Sequence, residues 1–358
     1  MSHPTRRTTL LAGLAAGAVA AALAASPTAT ASQTATVAAN PAIDRVVAIS
    51  IDGLRPDAIT SLGASKVPNL YRMINEGATT LNARTMVEQT VTLPNHTSMV
   101  TGTRIDKTAG GHGVTVNSDT GTTVQASAGR YVSSIFDVVH DRGGRTGLYV
   151  AKDKFNVLDR SWNATNGAPD TTGTDEGRDK IDTYRLTDSQ GATTALTTTL
   201  GSTSPDTFSF LHIALPDSAG HSYGWMSSRY LTAVEQSDAL LGQVLKTIDG
   251  NAARKADTAV VLTADHGGSG TSHSTTTTRE NYTIPFMVWG SGVAAGADLY
   301  ALNGTSRANP GTAKTSYSGT QPVRNGDLAN LTADLLDLPS VPGSQFDTAQ
   351  DLTVFPAG

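Results

Sequence analysis

Seven side chains spread over about 220 positions have the types and places needed for one split metal site: Asp52, Thr92, Asp217, His221, Asp265, His266 and His273. Each of the six carboxylates and imidazoles follows a stretch that reads as a buried strand, or sits in the loop after one. Oxygen and imidazole donors placed this way can hold two zinc ions with a hydroxyl between them. Paired metals stabilise both the attacking and the leaving oxygen of an in-line displacement at phosphorus, so the expected chemistry is phosphoryl transfer. Thr92 supplies the hydroxyl. It precedes Leu93-Pro94-Asn95-His96, and proline belongs in the first turn of a helix. A helix start exposes unpaired N–H groups and a partial positive charge, which favour a phosphate. Beside a metal, that hydroxyl can ionise near neutral pH. Asn95 is read as the donor of an amide hydrogen bond to a non-bridging phosphate oxygen.

The spacing Asp217-x-x-x-His221 lets one carboxylate and one imidazole share an ion, provided the chain turns there as a helix. Asp265-His266 closes the apolar run Ala259-Val260-Val261-Leu262-Thr263-Ala264. Two polar side chains directly behind a buried strand are costly unless something satisfies them. Gly267, Gly268 and Gly270 allow a tight bend, and His273 follows. Lys152 and Lys154 come after another apolar run and are candidates to hold a carboxylate or a distal phosphate of the substrate.

Positioning these groups needs a particular scaffold. Apolar runs at 46–51, 146–150, 207–215, 258–263 and 285–289 read as strands. Helical patterns at 66–77, 94–102, 131–142, 189–200, 227–249 and 326–337 lie between or after them. Alternation of this kind predicts an α/β fold: a mostly parallel sheet covered on both faces, with ligands at the carboxyl ends of the strands. Residues 110–129 are read as a small hairpin, within a loop insertion near 104–130. A second insertion, near 156–185, is long and polar. His96 and His112 read as packing or capping residues, His212 as core and His140 as solvated. Trp162, Tyr184, Tyr223 and Trp225 are candidates for a leaving-group pocket.

The first 31 residues read as a signal peptide: Arg6 and Arg7, an apolar run from Leu10 to Ala25, and the small residues Ala29-Thr30-Ala31. The arginine pair matches an export signal for folded protein, so a secreted product with no membrane anchor after cleavage is expected. Residues 32–43 read as a flexible leader, and 44–358 as a single catalytic domain. Removing Arg6 and Arg7 leaves 24 basic against 31 acidic residues, a net charge of −7. That mild acidity argues against general nucleic-acid binding. The 358 residues include no cysteine, which rules out disulfides and thiolate ligands.

Taken together, Ile51-Asp52-Gly53-Leu54-Arg55, Thr92-Leu93-Pro94-Asn95-His96, Pro216-Asp217-x-x-Gly220-His221, Thr263-Ala264-Asp265-His266-Gly267 and Gly270-x-x-His273 resemble the nucleotide pyrophosphatase/phosphodiesterase branch of the alkaline phosphatase superfamily. The likeness covers roughly residues 45–340. It implies a three-layer α/β/α sandwich of alkaline phosphatase type. It also implies one zinc on Asp217, His221 and His273, and another on Asp52, Asp265 and His266 with Thr92 bridging to the substrate; other divalent metals are possible. Thr92 would form a covalent phosphothreonine. The substrate class implied is a small phosphodiester or nucleotide pyrophosphate.

Relatives set the alternatives. Sulfatases need a Cys or Ser that becomes formylglycine, in a motif this chain lacks. Alkaline phosphatases follow a serine nucleophile closely with an arginine, where this chain has Leu93-Pro94-Asn95. The short interval from His266 to His273 resembles bacterial members of the branch. Phosphonoacetate hydrolases share a threonine nucleophile and a Lys-x-Lys comparable to Lys152 and Lys154, so C–P hydrolysis is one rival and phosphomonoester hydrolysis another. A non-catalytic binding protein that keeps the metal fold is the rival from outside enzymology.

Overall fold

The segment Arg45–Ile51 (β1) is apolar and β-branched, and every residue after Arg45 is buried. A strand of that composition is stable only with both faces covered. Ile49 and Ile51 are fully buried, each contributing about 1.5–3 kcal/mol relative to exposure. In the computed structural model, which describes residues 42–172 and 177–356, β1 lies inside an eight-stranded sheet. The other strands are Ala78–Arg84 (β2), Thr146–Val150 (β3), Thr183–Leu186 (β4), Phe208–Ile213 (β5), Thr258–Thr263 (β6), Thr283–Gly290 (β7) and Ala297–Asp298 (β8). Their order is β4-β3-β5-β1-β6-β7-β2-β8. Strands β4, β3, β5, β1 and β6 run parallel. Only β7 is reversed against its neighbours β6 and β2.

This register decides where the chemistry lies. The carboxyl ends of β3, β5, β1 and β6 are adjacent, so Lys152, Asp217, Asp52 and Asp265 come together along one edge of the sheet. Ser50 pairs with both His212 and Thr263 one step before that edge. Beyond it, the N–H of Asp52 donates to Ile213 O at 2.9 Å and the N–H of Asp217 to Asp52 O at 3.0 Å. Helices complete a three-layer α/β/α sandwich. Pro56–Leu62, Pro68–Glu76, Ser189–Leu200 and Leu215–Tyr223 pack with Ser228–Asp249, while Thr92–Thr101 and Ile135–His140 pack with Leu328–Leu335.

The predicted strands and helices lie within a few residues of those found. The strand expected at 207–215 ends at Ile213 because Pro216 opens the helix Leu215–Tyr223. Strands β2, β4 and β8 escape the pattern: β2 is largely polar, β4 is a partly exposed edge and β8 has two residues. The hairpin expected at 110–129 is absent. That stretch holds the short helix Val124–Ala128 instead, started by the Thr123 hydroxyl accepting from the N–H of Ala126. The polar insertion after 156 begins with the helix Asn156–Ser161 and ends in β4.

The predicted signal peptide and nearly all of the leader lie outside the described residues, which belong to the compact unit Ala39–Gly358. Ile43, at the end of the predicted leader, is buried in the core. Among the described residues no helix is long and apolar enough to cross a membrane.

Candidate active site

The helix Leu215–Tyr223 carries Asp217 in its first turn and His221 in its last. Four residues apart, they share a face, and His221 Nε2 is 3.3 Å from Asp217 Oδ1. His273 Nε2 lies 3.1 Å from His221 Nε2 and 3.7 Å from Asp217 Oδ1. A second cluster forms deeper in the protein. His266 Nε2 is 3.1 Å from Asp265 Oδ2 and 3.5 Å from Asp52 Oδ1. Thr92 Oγ1 stands 3.4 Å from that same Nε2. The His266 and His273 rings stack at 3.6 Å, so the two clusters share a wall. All seven sequence-predicted residues thus meet in one place.

Each ligand-type group is held from behind. His221, His266 and His273 each direct Nδ1 at a backbone carbonyl, of Thr271, Gly267 and Thr90 respectively. A carbonyl accepts only, so Nδ1 carries the hydrogen and Nε2 is the atom presented to the cluster. The carboxylates follow the same plan. Asp265 Oδ1 accepts from the N–H groups of Gly53 and His266. Asp52 Oδ2 faces His212 Nε2 at 2.9 Å. The opposite oxygens, Asp52 Oδ1, Asp217 Oδ1 and Asp265 Oδ2, are buried without a hydrogen-bond partner. Three orphaned anionic oxygens would be prohibitively costly unless cations complete them. The residues therefore fit divalent metal ions. The donor atoms of Asp52, Asp265 and His266 lie within 4.8 Å of one another, as do those of Asp217, His266 and His273.

The charges of these groups lean on each other. Burial raises the Asp52 pKa, but Lys152, His212 and His266 outweigh it and hold the carboxyl well below its usual range. Burial and Asp52 push Asp217 up; His221 and Lys152 bring it down to about 2. Burial works against a charge on His266, yet Asp265 and Asp52 lift it to about 9. Burial and His266 depress His273 to about 4.

Two predicted contacts differ from the expectation. The amide of Asn95 donates to the carbonyls of Gln89 and Val91 at 2.8 and 3.0 Å, and its oxygen accepts from the N–H of Met86 and from Asn325. It braces the turn before the Thr92 helix and has no amide hydrogen left for phosphate. The amide that does meet the start of this helix is Asn117, whose Oδ1 accepts from the N–H of Leu93 at 2.9 Å and from Lys154 Nζ at 3.1 Å. Nothing in the polar run around Asn117 marks it in the sequence. Lys152 is not directed at open space: its ammonium lies 2.7 Å from Asp52 Oδ2 and 2.6 Å from Asp217 Oδ2. Lys154, by contrast, is pushed down by burial and by Lys152.

The remaining histidines and aromatics sort by burial. His96 Nδ1 lies 2.9 Å from Thr92 O and Nε2 2.8 Å from Ser50 Oγ, fixing the carbonyl of Thr92. His212 is core, as expected, and also holds Asp52. His140, expected to be solvated, is buried with Nδ1 2.8 Å from Asp170, an acid thirty residues further along the chain. Trp162 is a fully buried core residue that donates to Val132 O. Tyr223 is 54% exposed, with the Arg229 guanidinium over its ring. Trp225 is structural. Its indole lies over Gly220 and Gly268 and donates to Gly53 O at 3.0 Å, so it touches the helix Leu215–Tyr223 and the loops after β6 and β1 together. Gly53 adopts φ +72°, and a Cβ there would sit 3.0 Å from the Asp217 backbone. Only glycine lets the two acids approach this closely.

An eight-stranded α/β sandwich with a threonine between two acid–imidazole clusters at the carboxyl edge defines a class of phosphoryl-transfer hydrolases. Residues 46–317 match the type I phosphodiesterase / nucleotide pyrophosphatase family. Among solved structures, the murine ectonucleotide pyrophosphatase/phosphodiesterase 5 is similar, with a TM-score of 0.56 at 14% identity, 86% of this chain and 99% of that chain being covered. The same murine protein as an inactive threonine-to-alanine variant with AMP aligns at 0.57 and 14%, over the same shares of the two chains. The human counterpart aligns at 0.57 and 13%, again over 86% of this chain and 99% of that chain. At such identities the likeness is one of fold. The chain belongs to the type I phosphodiesterase / nucleotide pyrophosphatase family and is a hydrolase acting on phosphodiester bonds.

Proposed function

We propose that this protein is a secreted, two-zinc hydrolase of small phosphodiesters or nucleotide pyrophosphates that works through phosphothreonine at Thr92. The observation that carries the reading is the placement of Thr92 Oγ1, at the start of a ten-residue helix and 3.4 Å from His266 Nε2, the atom that the orphaned oxygens of Asp52 and Asp265 also face. Asp217, His221 and His273 would hold one ion; Asp52, Asp265 and His266 would hold the other. When bound, such ions lower the pKa of a neighbouring hydroxyl and neutralise charge on the phosphoryl oxygens.

The chain's own groups do the rest. The helix start favours the anionic phosphoryl group. Thr92 Oγ forms a bond to phosphorus as the bond to the leaving oxygen breaks, and the threonine proton ends on that oxygen. Water then attacks the phosphothreonine, returning a hydrogen to Thr92 Oγ and releasing a phosphomonoester. His96 anchors the Thr92 carbonyl during both steps, and Asn117 and Lys154 flank the phosphoryl group. The murine neighbour supports the reading: a threonine-to-alanine change accompanies its inactivity, and it binds AMP.

A second reading, C–P hydrolysis of a phosphonate bearing a carboxylate, is favoured by Lys154, a half-buried ammonium bonded to the neutral Asn117. Rates on bis-p-nitrophenyl phosphate, p-nitrophenyl phosphate, the p-nitrophenyl ester of thymidine monophosphate and phosphonoacetate decide. Diesters turned over fastest support the proposal; phosphonoacetate fastest moves the function to C–P cleavage; the monoester fastest makes it a phosphatase. Thr92→Ala should bind metal and lose more than about a thousandfold in rate, about 4 kcal/mol of barrier. Full activity in that variant would end the phosphothreonine mechanism. Export by the arginine-pair signal, with cleavage after Ala31, is part of the proposal and is tested by sequencing the N-terminus of protein recovered from the medium.

A further inference from the structure

Lys152 was expected to meet the substrate, and its surroundings give it a different task. It leaves the carboxyl end of β3, next to β5 and one strand from β1. Its ammonium sits between Asp52 Oδ2 and Asp217 Oδ2, at 2.7 and 2.6 Å, with the side chain 18% exposed. These two acids belong to different clusters. In each, Lys152 holds Oδ2, while the orphaned Oδ1 faces the imidazoles of the cluster, His221 for Asp217 and His266 for Asp52. Like charges this close repel, and Asp52 and Asp217 do act on one another. An ammonium between the two Oδ2 atoms cancels the repulsion and fixes which oxygen of each acid faces those imidazoles. It also sets the spacing of the two acids, because one nitrogen makes both contacts. His212 adds a second hold on Asp52 Oδ2.

We propose that Lys152 is a positioning residue of the metal centre, a built-in cation that ties one carboxylate of each cluster into a fixed pair and so sets the separation of the two metal sites. Substrate recognition by a cation then falls to Lys154. The inference rests on the two-metal reading above. Partners that orient metal ligands typically contribute 10–100-fold to metal affinity. Lys152→Met should therefore weaken zinc binding by roughly that factor at both sites, because each loses the hold on one acid.

The test uses the full mature chain, stripped with a chelator and titrated with zinc ion against a chromophoric competitor, with circular dichroism checking the fold. Lys152→Arg keeps the charge and two donor directions, and should restore zinc affinity to within about tenfold of wild type. Lys154→Met should leave zinc affinity unchanged and raise KM. Two zinc ions bound equally tightly by wild type and Lys152→Met, with a raised KM in the variant, would overturn the positioning role and leave the two-metal reading intact. Wild type taking up a single ion would overturn both. If Lys152→Met does not fold, Lys152→Gln against Lys152→Arg makes the same comparison, and equal zinc affinity in that pair counts against the role.

Discussion

The contact between Gly268 and Trp225 gives a quantitative test of how the active-site loops are held. A Cβ built on Gly268 would lie 2.0 Å from one ring atom of Trp225 and 2.2 and 2.5 Å from two others. Gly268 is not among the positive-φ glycines, so alanine meets steric conflict and not backbone strain. Overpacking of this kind costs about 1–3 kcal/mol. Trp225 cannot retreat freely: the residue is 7% exposed and its indole is bonded to Gly53 O. Gly268→Ala should thus destabilise the protein by about 2–3 kcal/mol. Trp225→Leu alone should cost about 3 kcal/mol through lost packing and a lost hydrogen bond. In the double variant the methyl group occupies space the indole has left. The cycle should show a favourable coupling of about 1–2 kcal/mol, within the range seen for contacting residues. Urea denaturation with a chelator present reads these energies on the protein alone. Strict additivity would mean that the indole does not define the path of the loop after β6, and the account of Trp225 as the common support of that loop, the loop after β1 and the helix Leu215–Tyr223 would fail.

Three further outcomes follow from charge. Asp347 is raised to about 8 by burial and by Asp327, although Arg307 opposes it. The native state then holds a proton that the unfolded chain gives up, so this group's contribution to stability falls as pH rises from about 4 to 8, by at most about 1.4 kcal/mol per pH unit. Asp347→Asn should flatten that slope in denaturation curves taken at pH 5 and 8; an unchanged slope would refute it. His266, lifted to about 9 by Asp265 and Asp52, must lose its proton for Nε2 to accept a metal. Metal affinity should rise with pH up to about 9, and calorimetric heats at pH 7 should vary with the buffer's ionisation enthalpy; heats independent of buffer would contradict this. Chelation should abolish hydrolysis and zinc should restore it, whereas activity that survives exhaustive chelation would sever the chemistry from the acid–imidazole clusters.

Much of this arrangement was readable in the residues. Asp52 and Asp265 each follow an apolar run long enough to be a central strand, so their place at the sheet edge follows from the pattern. Pro216 marks the turn from strand to helix, which makes the Asp217–His221 spacing a shared face. Asn95 misled because closeness in sequence to Thr92 says nothing about direction: on the helix, its amide is taken by carbonyls of the preceding loop. Asn117 was invisible because its place depends on a loop folding back onto the N–H of Leu93. Lys152 illustrates the same limit from another side. A lysine after a strand reads as substrate-facing or solvated, and only the adjacency of β3, β5 and β1 brings two acids to it. His140 was misplaced for want of Asp170, supplied by a distant polar stretch.

The one-sided anchoring of the acids bears on which ions the protein can mistake for its own. Calcium takes roughly six to eight oxygens, often with carboxylates gripping through both atoms. Here Asp52, Asp217 and Asp265 each have one oxygen already engaged, by His212 and Lys152, by Lys152, or by backbone N–H groups. What remains is three single oxygens and three imidazole nitrogens, too few oxygens and too much nitrogen for a large hard ion. If the clusters hold ions as proposed, the backs of the ligands would by themselves favour a smaller, nitrogen-tolerant metal over calcium, with no gate needed at the entrance.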